Sequence, residues 1–241
     1  MSDWWQWSPN KGDEKLGFAV VGIGRFGSAV CRELLRNGAD VLAVDSSEKA
    51  IEELRQLEPT IEARVVDSTD EESMKEAGVL EMGTVVVGIS EPIEASITTT
   101  LIAKDTEGSL VKQVIARATS DLHEKMLKRV GADRVVFPSR MQGERLGLEL
   151  VRPNLIERLE LDDKTGIDEI KVPEVFVGRS LRDLNLRKNY FVNVLAAGPA
   201  QLLTVNPPAK YILEKDHVLV VMGSMEIFKS YRKLNRCVYL A

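Results

Sequence analysis

Glycine stands at positions 22, 24 and 27 of the segment Val20-Val21-Gly22-Ile23-Gly24-Arg25-Phe26-Gly27, directly after the apolar run Phe18–Val21. This spacing suits a strand-to-helix turn that holds a diphosphate. Gly22 permits the tight turn, Gly24 lets a pyrophosphate approach the backbone, and Gly27 lets the helix pack close to the strand. The free N–H groups of that helix, which opens with Arg25 and Phe26, then face the phosphates. Asp45 ends the second apolar run. A carboxylate there accepts hydrogen bonds from both ribose hydroxyls and repels a 2′-phosphate. Ser46-Ser47 supplies no Arg to offset that repulsion. The pattern therefore admits NAD(H) and disfavours NADP.

Other residues fall where the same ligand would lie. A cation is unfavourable at a helix N-terminus, so Arg25 either meets a phosphate or is a solvated surface Arg. Asp67-Ser68-Thr69 follows the third strand, at the sheet edge where an adenosine half belongs; Ser68 or Thr69 capping the next helix is the alternative. Gly88 ends the fourth strand and allows close packing over the ligand. Arg117, after the fifth strand, is placed to reach toward phosphates. A catalyst is harder to find. His123 lies in the polar stretch Asp121-Leu122-His123-Glu124-Lys125 and reads as solvated, and His217 sits at a turn. Neither comes with a partner that would orient it as an acid–base group. No G-x-S-x-G, H-E-x-x-H, Walker A or CxxC motif occurs. Cys31 and Cys237 have no metal-ligand or redox spacing, so no metal site is expected. A bound nucleotide with nothing to react with points to a ligand sensor rather than an enzyme. A soluble NAD-dependent oxidoreductase is the alternative.

The elements that must position these residues alternate along the first half. Strands are expected at Phe18–Val21, Val41–Val44, Ala63–Val66, Thr84–Ile89, Val111–Ala116 and Arg134–Phe137, apolar throughout as strands buried on both faces should be. Helices are expected at Arg25–Asn37, with Ala29, Val30 and Leu34 on one face, then Ser47–Leu57, Asp70–Ala77, Ile93–Lys104 and Asp121–Val130. Gly38, Gly78 and Gly131 stand as stop signals after the first, third and fifth. Such repetition predicts an α/β fold, a Rossmann-like parallel sheet over residues 16–152. Its last helix, Met141–Val151, crosses toward a second domain. Pro153 marks a break. Short strands at Leu155–Leu161, Ile167–Val172, Phe191–Ala197, Gln201–Val205 and His217–Met222, with a helix at Met225–Leu234, predict a small α+β domain over residues 155–236. Residues 1–15 hold all three tryptophans and read as a tail.

Composition narrows the class. The 241 residues carry 32 Lys plus Arg against 37 Asp plus Glu, a net charge of −5. No basic field and no basic recognition helix offer themselves to nucleic acid, which sets aside a DNA-binding redox sensor. No apolar run approaches the roughly 20 residues that span a bilayer, and the N-terminus has no apolar signal core. The expectation is a cytoplasmic protein whose membrane role, if any, comes through a partner.

Taken together, the chain resembles the TrkA/KtrA-type RCK proteins, cytosolic regulators of potassium channels and transporters. The resemblance runs from about Leu16 to Leu234. FAVVGIGRFGSAVCRELLRNGADVLAVDSSEKAIEEL, VVDSTDEESMKEAGV, VVVGISEPIEASITTTLIAK and LKRVGADRVVFP carry it in the first half. VPEVFVGRSLRDLNLRKNYFVNVLAA and LEKDHVLVVMGSMEIFKSY carry it in the second. GRFG and the single-unit length look closest to the KtrA branch. The resemblance implies homodimers assembled into an octameric ring beneath a membrane K⁺-translocating subunit, peripheral to the inner face of the membrane. It implies gating by ATP against ADP, with NAD(H) also bound. It would place the diphosphate on Gly22, Gly24 and Gly27, the ribose on Asp45, a γ-phosphate on Arg25 from a neighbouring subunit, and the adenosine near Asp67 and Thr69. Some relatives carry an acidic residue after the proline that follows strand six, where it helps hold a cation; here Pro138 is followed by Ser139 and Arg140. Arg187-Lys188-Asn189-Tyr190 occupies the segment that binds cyclic di-AMP in some relatives.

Overall fold

A computed structural model of the chain describes residues 17–151 and 154–230. The tryptophan-bearing tail and the end of the helix expected at Met225–Leu234 lie outside the described residues. Close contacts divide the chain between Gln142 and Gly143 into two compact units.

The first unit holds six strands: β1 Phe18–Val21, β2 Val41–Asp45, β3 Glu62–Val65, β4 Thr84–Val87, β5 Gln113–Arg117 and β6 Arg134–Val136. All pair in parallel, in the order β3-β2-β1-β4-β5-β6. Between them run α1 Arg25–Arg36, α2 Glu48–Leu57, α3 Glu71–Glu76, α4 Ile93–Asp105 and α5 Asp121–Arg129, and α6 Pro138–Val151 follows β6. Successive strand residues feed opposite faces. Ala19, Val21, Leu42, Val44, Val85 and Val87 enter one core, and Val20, Val41, Ala43 and Val86 enter the other.

Two expectations need correction. Burial on both faces holds for β1, β2 and β4, but β3 is an edge strand that exposes Glu62, Arg64 and Val65. In α1, Ala29 is exposed, and the buried residues are Gly27 and Cys31. The glycine turn decides this. Gly27 must press against the strand it follows, so Cys31, one turn on, shares its face, and Ala29 is carried round to solvent. The stop signals act as expected. Gly38, Gly78 and Gly131 take φ of +72°, +76° and +104°, a left-handed geometry that L side chains rarely adopt.

The second unit is an antiparallel sheet of β7 Leu155–Glu160, β8 Thr165–Lys171, β9 Asn193–Gly198, β10 Thr204–Val205 and β11 Val218–Ser224, in the order β10-β9-β11-β8-β7. Two short helices, α7 Leu181–Leu184 and α8 Leu186–Tyr190, precede β9, and α9 Met225–Ser230 follows β11. Phe176, Leu184, Leu213, Leu219 and Phe228 fill its core.

Candidate functional site

In this sheet the strand order reverses at β1, whose neighbours are β2 and β4. The connections on its two sides part there and leave a crevice beyond the carboxyl ends of the strands. A cleft of about 710 Å³ lies at that point, bounded by the loops after β1, β2, β3, β4 and β5. That volume is within the range of about 300–1,000 Å³ typical of small-ligand sites.

The three glycines of the loop after β1 serve different needs. Gly22 has φ +89°, and a Cβ there would meet Ile89 at 2.8 Å. A Cβ on Gly27 would lie 2.0 Å from the Gly22 carbonyl oxygen, and one on Gly88 would lie 2.8 Å from the same atom. Those three residues are glycine so that β1, β4 and α1 can meet. Gly24 is different. Its φ of −74° suits any residue, and an added Cβ would find nothing within 4 Å. The chain itself has no use for glycine there. The space above it fits a group supplied from outside. The start of α1 has the same character. Ser47, Asp70 and Ser120 cap α2, α3 and α5 with side-chain oxygens, whereas α1 has no side-chain cap and no acidic residue in its first turn. Its exposed N–H groups suit an anion.

Asp45 reaches across the cleft floor. Ile23 N–H donates to Oδ2 at 2.6 Å and Ser47 N–H donates to Oδ1 at 2.8 Å. Each oxygen keeps acceptor capacity for a hydroxyl. After β3, Asp67 Oδ1 accepts from Thr69 N–H at 2.9 Å and Thr69 Oγ1–H at 2.7 Å. These bonds to Thr69 hold the Asp67 carboxyl below the usual carboxylate range. The capping alternative for Ser68 and Thr69 is set aside, because Asp70 caps α3 by accepting from Ser73 N–H. Ser68 and Thr69 line the cleft.

Arg117 also lines the cleft, with its guanidinium 5.8 Å from the centre of the Phe26 ring. Its Nε is buried without a hydrogen-bond partner. A buried donor of that kind is costly unless something accepts from it, and an anion in the cleft would. Gly22, Gly24, Asp45, Asp67, Ser68, Thr69, Gly88 and Arg117 thus surround one space. Arg25 is exposed and lies off the cleft wall, and Phe26 and Gly27 lie behind the loop. Sequence reasoning missed Ser90, Glu91, Pro92 and Ala95, which form the wall at the start of α4. The available signal was Glu-Pro just after a strand end, since proline favours the start of a helix.

The histidine reading is corrected. His123 is buried, not solvated, because α5 turns it inward together with Leu127. Thr119 N–H lies 3.3 Å from its Nδ1, and its Nε2 has no partner. Burial pushes its pKa below the ordinary 6.5. Cys31 is buried as well, and burial raises its thiol to about 12.

Comparison with known proteins supplies a context for this cleft. Residues 18–138 match the TrkA-N domain. The chain is 34% identical to Ktr system potassium uptake protein C of Bacillus subtilis over 91% of its own length and 97% of the relative's. It is 32% identical to Ktr system potassium uptake protein A of Vibrio alginolyticus over 87% of this chain and 93% of that one. Among solved structures, the GsuK channel bound to NAD shares the fold with a TM-score of 0.62 at 17% identity; the match covers 92% of this chain and 40% of the channel. Glycine turn, cleft and second unit come in one order along a similarity of nearly full length, and the chain belongs to the TrkA-N domain family as represented by the Ktr potassium uptake proteins.

Proposed function

We propose that this chain is the nucleotide-sensing regulatory subunit of a membrane potassium uptake system. The observation that carries this reading is the extent of the similarity. It takes in the second unit as well as the glycine-turn unit, so the chain matches a whole Ktr protein and not a borrowed nucleotide-binding domain. The cleft supports it independently. Gly24 leaves room for a diphosphate, the α1 terminus and Arg117 offer donors, and Asp45 offers a carboxylate to a ribose. The ligand is an adenine nucleotide, ATP or ADP, or NAD(H). NADP is disfavoured because its 2′-phosphate would meet the Asp45 carboxylate with no cation among Ser46 and Ser47.

The subunit works as an assembly. Residues 16–152, ending in α6, form the nucleotide-binding domain, and residues 155–236 form the second. α6 has no buried residue, and Met141, Leu146 and Leu150 stand exposed along it. A homodimer covers them. Leu101, Leu122 and Met126 are exposed on α4 and α5 and give a second surface through which dimers close into a ring of eight. The ring sits against a K⁺-translocating subunit at the cytoplasmic face of the membrane. No helix among the described residues is long and apolar enough to cross a membrane. A nucleotide shifts the ring only by its difference in affinity between two ring states. Arg25 supplies such a difference. It is exposed and not among the residues that line the cleft, which suits the family's implication that it meets a phosphate held by a neighbouring copy.

The test is a calorimetric titration of the full chain with ATP, ADP, NADH and NADPH. ATP and ADP are expected to bind and NADPH to bind weakest. Arg25→Ala is expected to weaken ATP about tenfold or more and ADP by less, as for a lost charge-assisted contact. Equal losses for both would remove Arg25 as the γ-phosphate contact. Binding confined to NADH would favour an oxidoreductase.

A further inference from the structure

The buried face of α4 is built from polar residues. Ser96, Thr99 and Thr100 are fully buried, together with Ala103. Thr100 Oγ1–H donates back to the Ser96 carbonyl at 2.8 Å, and Ser96 Oγ has no partner. Thr99 alone among these hydroxyls reaches another element. Its Oγ1 lies 3.0 Å from the Ser68 carbonyl oxygen and 2.9 Å from Ser68 Oγ. One hydroxyl has one proton and two acceptor sites, so it donates to one of these atoms and accepts from the other only if that atom is the Ser68 hydroxyl. That arrangement satisfies both: Thr99 donates to the carbonyl, and Ser68 Oγ–H donates to Thr99.

Ser68 and Ala95 both line the cleft, and Thr99 is one helical turn beyond Ala95. The bonds inside the Asp67–Thr69 turn, from Thr69 to Asp67, fix its shape but not its distance from α4. Val66 N–H, donating to the Asp45 carbonyl at 2.9 Å, ties the base of that turn to β2 on the other side. The Thr99–Ser68 pair joins that turn directly to α4, beside the apolar contacts of the core that Val66 and Ala103 share.

We propose that Thr99 is a positioning residue of the nucleotide site, joining the Asp67–Thr69 wall to α4 so that filling the cleft and seating α4 are one event. This rests on the nucleotide-binding reading above. Thr99 touches no ligand in it; it acts through Ser68. Because α4 carries the exposed Leu101 on its outer side, the same bond leads from the cleft to a surface that another copy can feel.

The test uses the full chain with Thr99→Val, which keeps shape and β-branching and removes the hydroxyl, and Thr99→Ser, which keeps the hydroxyl. Two quantities are read: the dissociation constants for ATP and ADP, and hydrogen exchange at the amides of α4 with and without nucleotide. Thr99→Val is expected to weaken both nucleotides about five- to thirtyfold, the range for one buried hydrogen-bonding group. It is also expected to abolish the nucleotide-dependent protection of α4. Thr99→Ser is expected to bind within about twofold of the unaltered chain and to keep that protection. A merely structural threonine would lower the unfolding midpoint while leaving both affinities and the α4 response intact, and that result overturns the proposal. So does a serine variant as weak as the valine one. If the unaltered chain binds no adenine nucleotide, the functional reading fails first and this one with it.

Discussion

At the residue scale, a Cβ at position 27 would stand 2.0 Å from the Gly22 carbonyl oxygen, and the His123 side chain is buried without a partner for Nε2. Gly22 and Gly27 were legible because other types cannot meet their needs, a positive φ and that close carbonyl oxygen, and Asp45 because it closes an apolar run. His123 was not legible. Its neighbours in sequence are polar, and only the rotation of α5 against the sheet turns it inward. That burial has a consequence for pH. The pKa of His123 is lowered by burial, so the unfolded chain binds its proton more readily than the folded one. Stability from this group is complete above the unfolded value, near 6.5, and declines as pH falls below it. The acidic groups whose pKa is lowered, such as Asp67 and Asp133, act in the same direction but only near pH 4 and below, where their carboxylates protonate. Resistance to urea is therefore expected to weaken between about pH 7 and pH 5, and His123→Asn, which keeps an acceptor near Thr119 N–H, is expected to flatten that slope. An unchanged slope in the variant would assign the dependence to another group.

At the element scale, the first unit was legible because its central strands β1, β2 and β4 are apolar runs and α1, α3 and α5 stop at glycine. β1 begins and ends where the apolar run does, and the other strands shift by a residue or two. The second unit was only partly legible. α7 and α8 have four and five residues, too few to show a helical period, and are separated by Asn185 at φ +43°. Pairing between strands was hidden altogether. Arg158 on β7 and Asp168 on β8 stand directly opposite one another. Arg158 donates through Nε to Oδ1 at 2.7 Å and through a terminal nitrogen to Oδ2 at 2.5 Å, with both side chains less than a tenth exposed. The guanidinium also lies 5.3 Å from the centre of the Phe228 ring. A buried pair is a weak source of net stability, but removing one partner strands the other charge. Asp168→Ala is expected to cost about 3–5 kcal/mol, whereas the double change Arg158→Met with Asp168→Leu is expected to cost far less. Chemical denaturation of the two variants decides it. Equal losses would mean that packing around Phe228, not the stranded charge, sets the cost.

At the scale of the whole molecule, the sequence shows two units but not what covers their outer faces. α6 and α4 explain why. Fourteen residues of α6 bury none, although Met141, Leu146, Leu150 and Val151 are apolar. α4 buries Ser96, Thr99 and Thr100 beside Ala103 and exposes Leu101, which blurs the contrast an ordinary surface helix shows. An amphipathic helix is recognised by a contrast between its faces, and neither helix offers one in a single chain. In the assembly proposed above, a second copy supplies the missing face. Each leucine covered in such an interface contributes roughly 1.5–3 kcal/mol of burial, so the pair Leu146 and Leu150, one turn apart, is a large share of what a dimer needs. Light scattering of the purified full chain is expected to give the mass of a dimer or a multiple of it. Leu146→Glu with Leu150→Glu is expected to reduce it to a single chain, since a charge at each position would have to be buried unpaired. The dissociated variant should keep ADP binding, because the cleft lies within one chain. If Arg25 of a neighbouring copy reads the γ-phosphate, as proposed, the variant should also bind ATP no better than ADP. A variant that keeps its mass would move the interface elsewhere. One that dissociates yet still distinguishes ATP from ADP would place Arg25 in its own cleft and take the discrimination of nucleotides away from the assembly.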